Sequence, residues 1–446
     1  MNSTAFNWLP ACDAARELRE GALSAEQLMQ ACLARVREID GEVQAWAFLD
    51  EQHALAQARA RDLDRSEGRA IGPLHGIPVG IKDIIDTCDM PTEDGTVLHA
   101  GRTPARDAAV VAMLRAAGAV IMGKTVTTEC ATYTPGKTRN PHNPEHTPGG
   151  SSSGSAAAVA AGMVPLALGS QTNGSVIRPA AYCGVFGFKP SHGLIPRSGV
   201  MKLSRTLDHI GVFARCIDDV ALLAETLVGW DVDDPDTRPR AAIAFRDVAA
   251  QEPPLPPLLG FIKPPVWDRA EPDTKEAFAE LAEQLKGSVV EIELPPSTAG
   301  MLEWHRTIME AEMAANLDRE YERGRDKLSD SLREQLARGR ELRVLDYQKA
   351  LARIPLLNDA FDEMFERCDA FITPAAAGTA PRGLASTGDP SFCSLWTLCG
   401  MPALSLPLMQ GANGLPLGVQ LVGPRGSDAR LLRTARWLVN CVEGKD

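Results

Sequence analysis

With 446 residues, 44% of them hydrophobic, the chain can bury a large core, as one large α/β domain or as two or three smaller domains. Its formal net charge of −12 argues against a protein that follows nucleic-acid phosphates, because such proteins carry a basic face. It contains no apolar run near the roughly 20 residues of a membrane-spanning helix, and its ten cysteines include no CxxC pair.

The cysteines and the first residues together predict where the protein resides. Scattered cysteines in a chain of this length are typical of reduced thiols. The start, MNSTAFNWLP, contains neither the basic stretch nor the apolar stretch of an export signal. We therefore expect a cytoplasmic protein with no membrane partner and no nucleic-acid partner.

The first predicted elements are helices, followed by a strand. Residues 11–39 and 54–63 have helical periodicity, and Ser24 is placed to cap the second helix. Residues 77–85 are rich in isoleucine and predict a strand. Lys82 lies inside this apolar run. It is either a lysine on a solvated strand face or a buried lysine whose pKa falls because burial disfavours its charged form.

Two motif matches further along are interpreted as structure and not as sites. Residues 118–125 (GAVIMGKT) fit the phosphate-loop pattern GxxxxGK[ST]. A predicted helix precedes the match and apolar residues fill it, so we predict a strand at 119–122 and no nucleotide site. In the loop 132–150, prolines prevent the helix that would bring His142 and His146 to one metal ion. We expect no metal and no organic cofactor.

The segment 147–179 (TPGGSSSGSAAAVAAGMVPLALGSQTNGSVIRP) contains two hydroxyl-rich turns around one helix and one strand. Ser153 or Ser155 can cap the small-residue helix, and residues 164–168 are consistent with a buried strand. A compact fold could bring the two turns together. This arrangement suggests a serine-based active site.

Residues 150–154 (GSSSG) also fit the GxSxG pattern of α/β-hydrolases. That pattern needs a strand directly before it, and the preceding NPEHTPG does not predict one. A hydrolase triad that uses His192, His209 or His305 is therefore disfavoured.

Several long motifs, in order, resemble the amidase signature family of serine amidohydrolases. They are GPLHGIPVGIKDI, AGAVIMGKTVTTECA, PGKTRNPHNPEHTPGG, GGSSSGSAAAVAAG, GSQTNGSVIRPAAYCGVFGFKPS, CDAFITPA, TLCGMPALSLPL and GLPLGVQLVGPRGSDARLL. The match covers nearly the whole chain. The resemblance implies a single α/β domain with a mixed, twisted central sheet and helices on both faces.

The resemblance also implies a Ser–cisSer–Lys triad. Lys82 in GIKD matches the lysine base, and Ser175 in NGSVIRP matches the nucleophile. Ser151 matches the bridging serine, which in the family follows a cis peptide, and it precedes Ser175 by the family's usual 24 residues. A serine hydroxyl is a weak nucleophile until a base takes its proton. A neutral Lys82 could draw that proton from Ser175 through Ser151.

Further roles follow from the same resemblance. The oxyanion hole would be formed by the backbone amides of Thr172, Asn173, Gly174 and Ser175. Candidate substrate contacts are Gly150, Arg178, Trp304 and Trp396. Met301, Ile308 and Met309 join Trp304 as candidates on one predicted helix, with core packing as the alternative for all four.

One departure from the family pattern concerns the turn of the nucleophile. Many relatives have Gly-Gly-Ser-Ile-Arg, whereas here Asn173 replaces the first glycine and Arg178 follows Ser175 by three residues. This turn resembles a subgroup that acts on small polar amides (malonamidase-like). On a helix, Ser175 and Arg178 would share a face, so Arg178 could bind a substrate carboxylate bidentately. Alternatively, Arg178 pairs with a structural carboxylate such as Asp208.

The amidase domain is expected to span residues 1–446 in four parts. They are N-terminal helices at about 11–65, a signature core at about 72–230, a variable helical segment at about 296–367, and closing strands and a helix at about 368–446.

The implied activity is hydrolysis of the C–N bond of a small non-peptide amide, through an acyl-enzyme on Ser175. One alternative is a carbamate (urethane) or ester hydrolase with the same triad. Another is the A subunit of a tRNA-dependent amidotransferase, which the unusual turn and the lack of extra segments disfavour. A catalytically silent binding protein is disfavoured because all three triad residues are retained. The expected partner is a small amide or carbamate substrate, and a homodimer is the default oligomer.

Overall fold

The computed structural model describes residues 6–444. Residues 1–5, in the stretch inspected for an export signal, and residues 445–446, in the predicted closing segment, lie outside the described residues. The strands are β1 (Trp46–Phe48), β2 (Pro78–Lys82), β3 (Val120–Thr125), β4 (Leu166–Gln171), β5 (Phe186–Lys189), β6 (His209–Ala214), β7 (Leu259–Ile262), β8 (Val289–Ile292), β9 (Ala370–Pro374), β10 (Ala403–Gln410) and β11 (Pro416–Val422).

The helices surround these strands, and within residues 6–444 none is long and apolar enough to cross a membrane. They are α1 (Ala11–Glu20), α2 (Ala25–Val43), α3 (Glu51–Ser66), α4 (Ala109–Ala116), α5 (Ser153–Ala160), α6 (Ile177–Cys183), α7 (Ile217–Leu227), α8 (Phe245–Ala250), α9 (Pro272–Gln284), α10 (Met301–Asn316), α11 (Asp318–Gly324), α12 (Asp330–Glu341), α13 (Val344–Leu351), α14 (Arg353–Met364), α15 (Ser391–Leu398) and α16 (Asp428–Glu443).

All eleven strands form one mixed sheet in the order β1-β3-β2-β4-β6-β5-β10-β11-β9-β7-β8. β2 pairs in parallel with β3 and β4, and β7 with β8 and β9, whereas the other neighbours are antiparallel. Every residue of β2, β3, β4 and β6 is buried, so both faces of the sheet are covered there. The expected α/β domain with a mixed central sheet is confirmed.

The two halves of the chain form two adjacent groups of strands within this sheet. Strands β1–β6 form one block and β7–β11 form the other. Among the described strands, the blocks are joined in the sheet by the antiparallel pairing of β5 with β10, from Ala403 opposite Lys189 to Ser405 opposite Gly187. The core is therefore continuous across both halves.

Local sequence signals position several elements near the site. α2 begins after Ser24, whose side chain forms a capping box with Gln27. β3 extends over 120–125, so the GxxxxGK[ST] match is a strand, as interpreted. The strand predicted at 164–168 begins two residues later and ends at Gln171. It pairs with β2 through residues 166–168 and with β6 through residues 167–171. The start of the second predicted turn, residues 169–171, therefore belongs to this strand.

Helix α5 packs directly against the first strands, and this contact explains its sequence. A Cβ added to Gly154 would lie 2.2 Å from the Ala45 carbonyl oxygen and 2.3 Å from the Val126 nitrogen, so only glycine fits. The prediction that Ser153 or Ser155 caps this helix is wrong. The Ser153 hydroxyl donates to the Val126 carbonyl at 3.3 Å, and that of Ser155 donates to a β4 carbonyl at 2.7 Å. Both hydroxyls therefore bond backbone carbonyls of neighbouring chain segments and not the amides at the start of the helix.

Candidate active site

Lys82 ends β2 in the interior of the protein, with 0% of its surface exposed. Its Nζ atom donates to Ser151 Oγ at 2.7 Å and to Ser170 Oγ at 2.8 Å. Among residues 6–444, no carboxylate lies within ion-pair distance of Nζ. Burial lowers the pKa of Lys82 well below its ordinary value, and the negative charge of Asp208 opposes this shift. The arrangement favours a neutral amine that can accept a proton.

Ser151 is held next to this amine by the first serine-rich turn. The Gly150–Ser151 peptide bond is cis, and Ser151 is 1% exposed. The neighbouring Ser152 hydroxyl donates to the Ser170 carbonyl at 3.1 Å and accepts from the Ser170 amide at 3.2 Å. The turn is thereby tied to β4, the strand that leads to the second turn.

Ser175 lies on that second turn, between β4 and α6. It is 9% exposed, and its hydroxyl makes no hydrogen bond to another described residue. Lys82 and Ser151 are thus in direct contact, whereas within residues 6–444 no hydrogen bond joins the hydroxyls of Ser151 and Ser175. The two turns are linked instead through Arg178, whose Nη2 atom donates to the Gly150 carbonyl at 2.8 Å. The catalytic roles of the three residues remain predictions.

The nucleophile turn has its carbonyls bonded and its amides free. His305 Nε2 donates to the Thr172 carbonyl at 2.9 Å, and Thr397 Oγ1 donates to the Asn173 carbonyl at 2.6 Å. In the described chain, the amides of residues 173–175 donate no hydrogen bond. Gln171 Oε1 accepts from the two amides that open α6, at 2.8 and 3.0 Å. Free, clustered amides are what an oxyanion hole requires.

Asp208 supports the same turn through its carboxylate. Its Oδ1 atom accepts from Thr172 Oγ1 at 2.6 Å, and its Oδ2 atom accepts from the amides of Leu203 and Ser204 at 2.9 Å each. Burial raises the pKa of Asp208 to about 6, and these hydrogen bonds limit the rise. Asp208 is therefore occupied by structural donors and does not pair with Arg178.

Arg178 is a buried cation without a counter-ion in the described chain. It is 2% exposed, and its Nη2 atom also donates to Thr387 Oγ1 at 3.1 Å. Its Nε and Nη1 atoms are buried and have no hydrogen-bond partner. The Nη1 atom lies 3.2 Å from where a Cβ on Gly174 would be. An unpaired guanidinium thus lies beside the turn that carries Ser175.

Of the two tryptophans proposed as substrate contacts, Trp396 lies in the core, whereas the role of Trp304 stays a prediction. Trp396 is fully buried, and its ring packs against Phe361 and Phe371 with centroids 5.5 and 5.9 Å away. The Cζ atom of Arg353 lies over the Trp304 ring, 5.3 Å from the ring centroid. For Trp396 the assignment as a substrate contact is corrected, because aromatic core neighbours enclose its ring. The other apolar candidates, Met301, Ile308 and Met309, are all buried core residues.

A cavity of about 440 Å³ borders the lysine cluster at Ser170. Its wall includes Ser170, Thr172, Asp208 and His209, together with the loop 197–205. Lys82, Ser151 and Ser175 are not among the lining residues, so in the described chain the cavity adjoins the lysine cluster through Ser170, whose hydroxyl bonds Lys82. The cavity could not be anticipated because it is built by loops distant in sequence.

Metal-binding groups are not part of this cluster. Within the described chain, one set of side chains is close enough to share an ion: Cys88, Asp89 and Asp107. Arg115 already pairs with both carboxylates, at 2.7 and 2.9 Å. The set is a surface ion-pair network that positions α4.

Sequence reasoning missed two of the groups that hold the nucleophile turn. His305 is 133 residues from Thr172, and Thr397 is 224 residues from Asn173. Sequence patterns suggest His305 only as part of a disfavoured hydrolase triad, and they do not single out Thr397. No local pattern marks a side chain that bonds a backbone carbonyl so far away in the chain.

Comparisons with known proteins identify the family of the chain. The chain matches the family described as Amidase over residues 27–432. It is 33% identical to the A subunit of Glutamyl-tRNA(Gln) amidotransferase from Lachnospira eligens, over 95% of this chain and 96% of the relative. Among solved structures, it resembles the native peptide amidase from Stenotrophomonas maltophilia, with a TM-score of 0.84, 31% identity and 96% coverage of both chains. It also resembles 6-aminohexanoate cyclic dimer hydrolase, with a TM-score of 0.86, 26% identity and coverage of 98% and 97%.

One expectation is corrected by these comparisons. The chain was expected to have no nucleic-acid partner, yet its curated relatives are subunits of an enzyme whose name specifies a tRNA. That expectation is wrong because it rested on net charge, which is summed over the whole surface and does not describe any single face. The family match and the relatives both extend along nearly the whole chain, and the chain therefore belongs to the amidase signature family of hydrolases that cleave amide C–N bonds.

Proposed function

We propose that Ser175, Ser151 and Lys82 hydrolyse a small carboxamide, and that the chain does so as the A subunit of a tRNA-dependent amidotransferase. The observation that carries the chemistry is the buried Lys82 amine, which has a lowered pKa and bonds the Ser151 hydroxyl at 2.7 Å. The assignment to an amidotransferase is supported by curated relatives with that name, which align with 93–96% of this chain.

In the proposed mechanism, protons move between the triad residues while Ser175 carries the acyl group. Lys82 takes the proton of Ser151, which takes that of Ser175, and the Ser175 oxygen attacks the amide carbon. The oxyanion of the tetrahedral intermediate accepts hydrogen bonds from the free amides of residues 173–175. The C–N bond then breaks, and the leaving nitrogen takes the proton back through Ser151. Water, deprotonated by the same route, releases the acid from Ser175.

The test of the proposal is ammonia release by the purified chain. We expect release from glutamine or asparagine, and co-purification of partner subunits when the chain is isolated from its native host. Addition of those partners and glutamyl-tRNA should convert the released ammonia into amidated tRNA. Ammonia release without any tRNA product in the complete assembly would contradict the amidotransferase role but leave the hydrolase chemistry standing. Absence of release from every amide tested would contradict both.

A second candidate is a free-standing hydrolase of small polar amides, related to the malonamidase-like subgroup. The specific observation that favours it is Arg178, a buried cation beside Ser175 with two nitrogen atoms that have no partner. A buried charge without a partner is costly, so an anionic substrate group would stabilise it. Carbamates and esters use the same machinery and differ only in the leaving group, so they belong in the same substrate panel.

This candidate predicts different effects of Arg178→Met on two classes of amide. For amides that carry a carboxylate, such as malonamate, kcat/KM should fall by roughly 30-fold, or about 2 kcal/mol, because a buried charge pair is lost. For neutral amides with the same carbon chain, such as propionamide, the loss should stay below about threefold. The comparison uses one protein, so any general disturbance of the Gly150 contact cancels. Equal losses on both classes would remove the carboxylate-binding role of Arg178.

We also propose a cytoplasmic location. Cys88 is an exposed thiol that forms no disulfide in the described chain. Exposed thiols persist where the compartment is reducing.

A further inference from the structure

The turn that carries Ser175 belongs to the first half of the chain, but side chains from the second half bond its carbonyls. His305 comes from α10 and Thr397 from α15, and these two helices pack against each other. Both side chains are buried, at 2% and 0% exposure. We infer that His305 and Thr397 are positioning residues that aim the oxyanion-binding amides of the nucleophile turn. This inference rests on the proposed role of Ser175.

The geometry of the peptide group links each carbonyl to the amide that follows it. In a trans peptide the C=O and N–H bonds point in opposite directions within one rigid plane. A donor that fixes the Thr172 carbonyl therefore also fixes the direction of the Asn173 N–H. In the same way, the donor on the Asn173 carbonyl fixes the Gly174 N–H. His305 and Thr397 are these two donors, at 2.9 and 2.6 Å.

The two fixed amides are also the ones left free for a ligand. Within residues 6–444, neither the Asn173 nor the Gly174 amide donates a hydrogen bond. The carbonyl of each preceding residue points into packed protein, and the N–H points the other way. Two successive peptide planes thus present their donors on the side opposite the α10–α15 pair. An oxyanion hole needs donors that are oriented before charge develops.

The protonation state of His305 suits a hydrogen-bond donor and not a general base. Burial lowers the pKa of His305 to about 4, and its bond to the Thr172 carbonyl partly opposes this shift. At neutral pH the ring is uncharged, with its proton on Nε2, because a carbonyl oxygen can only accept. Thr397 is oriented in turn by Gln171, whose Nε2 atom donates to Thr397 Oγ1 at 2.9 Å. The hydroxyl proton is then directed to the Asn173 carbonyl.

Loss of either donor should act on the transition state more than on substrate binding. The planar carbonyl of a bound substrate carries little charge, whereas the tetrahedral intermediate carries a full negative charge. Removing one oxyanion donor outright lowers kcat by about 10²–10³. A donor that remains but is misdirected should lose part of this effect, roughly 10-fold or more in kcat. KM should change little.

The experiment compares removal of each donor with its conservative replacement. His305→Met and Thr397→Val remove the hydrogen bond, whereas His305→Gln and Thr397→Ser keep a donor at a similar position. With p-nitrophenyl acetate as the probe, we expect kcat to fall about 10-fold or more in the first pair, with KM within about threefold. The second pair should recover most of the activity. If one variant of a pair fails to fold by circular dichroism, the other site supplies the same comparison.

A separate readout distinguishes failure of this inference from failure of the proposed function. Mass spectrometry of the wild type treated with phenylmethylsulfonyl fluoride should locate the adduct on Ser175. If the adduct lies elsewhere, the nucleophile assignment itself fails. If Ser175 is labelled, but the donor-removing variants keep wild-type kcat or lose activity entirely through KM, the positioning role is overturned. Failure of the conservative variants to recover kcat would overturn it as well.

Discussion

Replacement of Ser175 by alanine should abolish turnover, with a loss in kcat of at least about 10⁴-fold, as found when a nucleophile of a serine hydrolase is removed. The physical reason is that the alanine variant cannot form the acyl-enzyme. Within the turn, no other hydroxyl lies after the free amides of residues 173–175, so none can replace the hydroxyl of Ser175. The measurement is ammonia release from the best amide of the panel. Wild-type-like turnover in Ser175→Ala would end the nucleophile assignment.

Two further serine variants complete this prediction. Ser151→Ala should retain a small residual activity, because water can replace a relay hydroxyl imperfectly while the nucleophile remains. Ser66→Ala is the matched control, since this exposed hydroxyl at the end of α3 bonds the Leu63 carbonyl and makes no hydrogen bond to a triad residue in the described chain. It should keep full activity. If Ser151→Ala were less active than Ser175→Ala, the relay role of Ser151 would be contradicted, since the nucleophile would then matter less than its proton carrier.

Replacement of Lys82 by methionine should lower kcat/KM by roughly 10³-fold or more, the range attributed to a general base. Methionine has a similar length and no charge, so the packing around Ser151 and Ser170 should be kept. The wild-type pH profile provides a second measurement. Because burial lowers the pKa of Lys82 well below 10.5, kcat/KM should rise with pH and level off well before pH 10.5. An ascending limb centred near pH 10.5 would show an ordinary, solvated lysine.

The same pKa shift makes a prediction about stability with a defined sign. In the folded protein Lys82 loses its proton at a lower pH than in the unfolded chain, so the unfolded state binds more protons between the two pKa values. The free energy of unfolding should therefore rise with pH across that window, relative to Lys82→Met, by up to about 1.4 kcal/mol per pH unit. Chemical denaturation of both proteins at several pH values measures this difference. A difference that does not change with pH would contradict the buried, neutral amine.

Asp208 acts on Lys82 electrostatically and also titrates in its own right. Its pKa is raised to about 6, so below that pH its charge is lost and its support for the lysine ammonium weakens. An inflection near pH 6 in the activity profile is therefore expected from Asp208, in addition to the rise that comes from Lys82. Assigning the profile requires the Lys82→Met comparison for this reason.

Signals that act within a few residues are sufficient to predict most of the elements near the site. The Ser24 cap, the strand that ends at Lys82 and the glycine-rich turn before α5 depend on local backbone preferences. The motif resemblance adds the three triad positions, whose geometry includes the Lys82–Ser151 contact and the cis bond before Ser151. These features are encoded in short stretches, which is why they can be located without coordinates.

Features that depend on contacts between distant segments could not be predicted in this way. Ser153 or Ser155 was expected to cap its own helix, but both hydroxyls bond backbone carbonyls of other segments in the folded protein. Trp396 was expected in the substrate pocket, but Phe361 and Phe371 enclose it in the core. His305 carried no sign of its role, because its partner is a backbone carbonyl that any sequence would supply. Such pairings are decided by tertiary packing and not by residue type.

The pairing of β5 with β10 has a consequence for how this catalyst can be divided or rebuilt. Lys82, Ser151 and Ser175 all precede that boundary, whereas His305 and Thr397 follow it. A fragment that ends near residue 230 would contain all three proposed triad residues and yet lack the two side chains that bond the carbonyls of the Ser175 turn. Grafting the glycine- and serine-rich stretch onto another scaffold would meet the same difficulty. Complementation between two separately expressed fragments is the form in which this enzyme could be taken apart and still recover its chemistry.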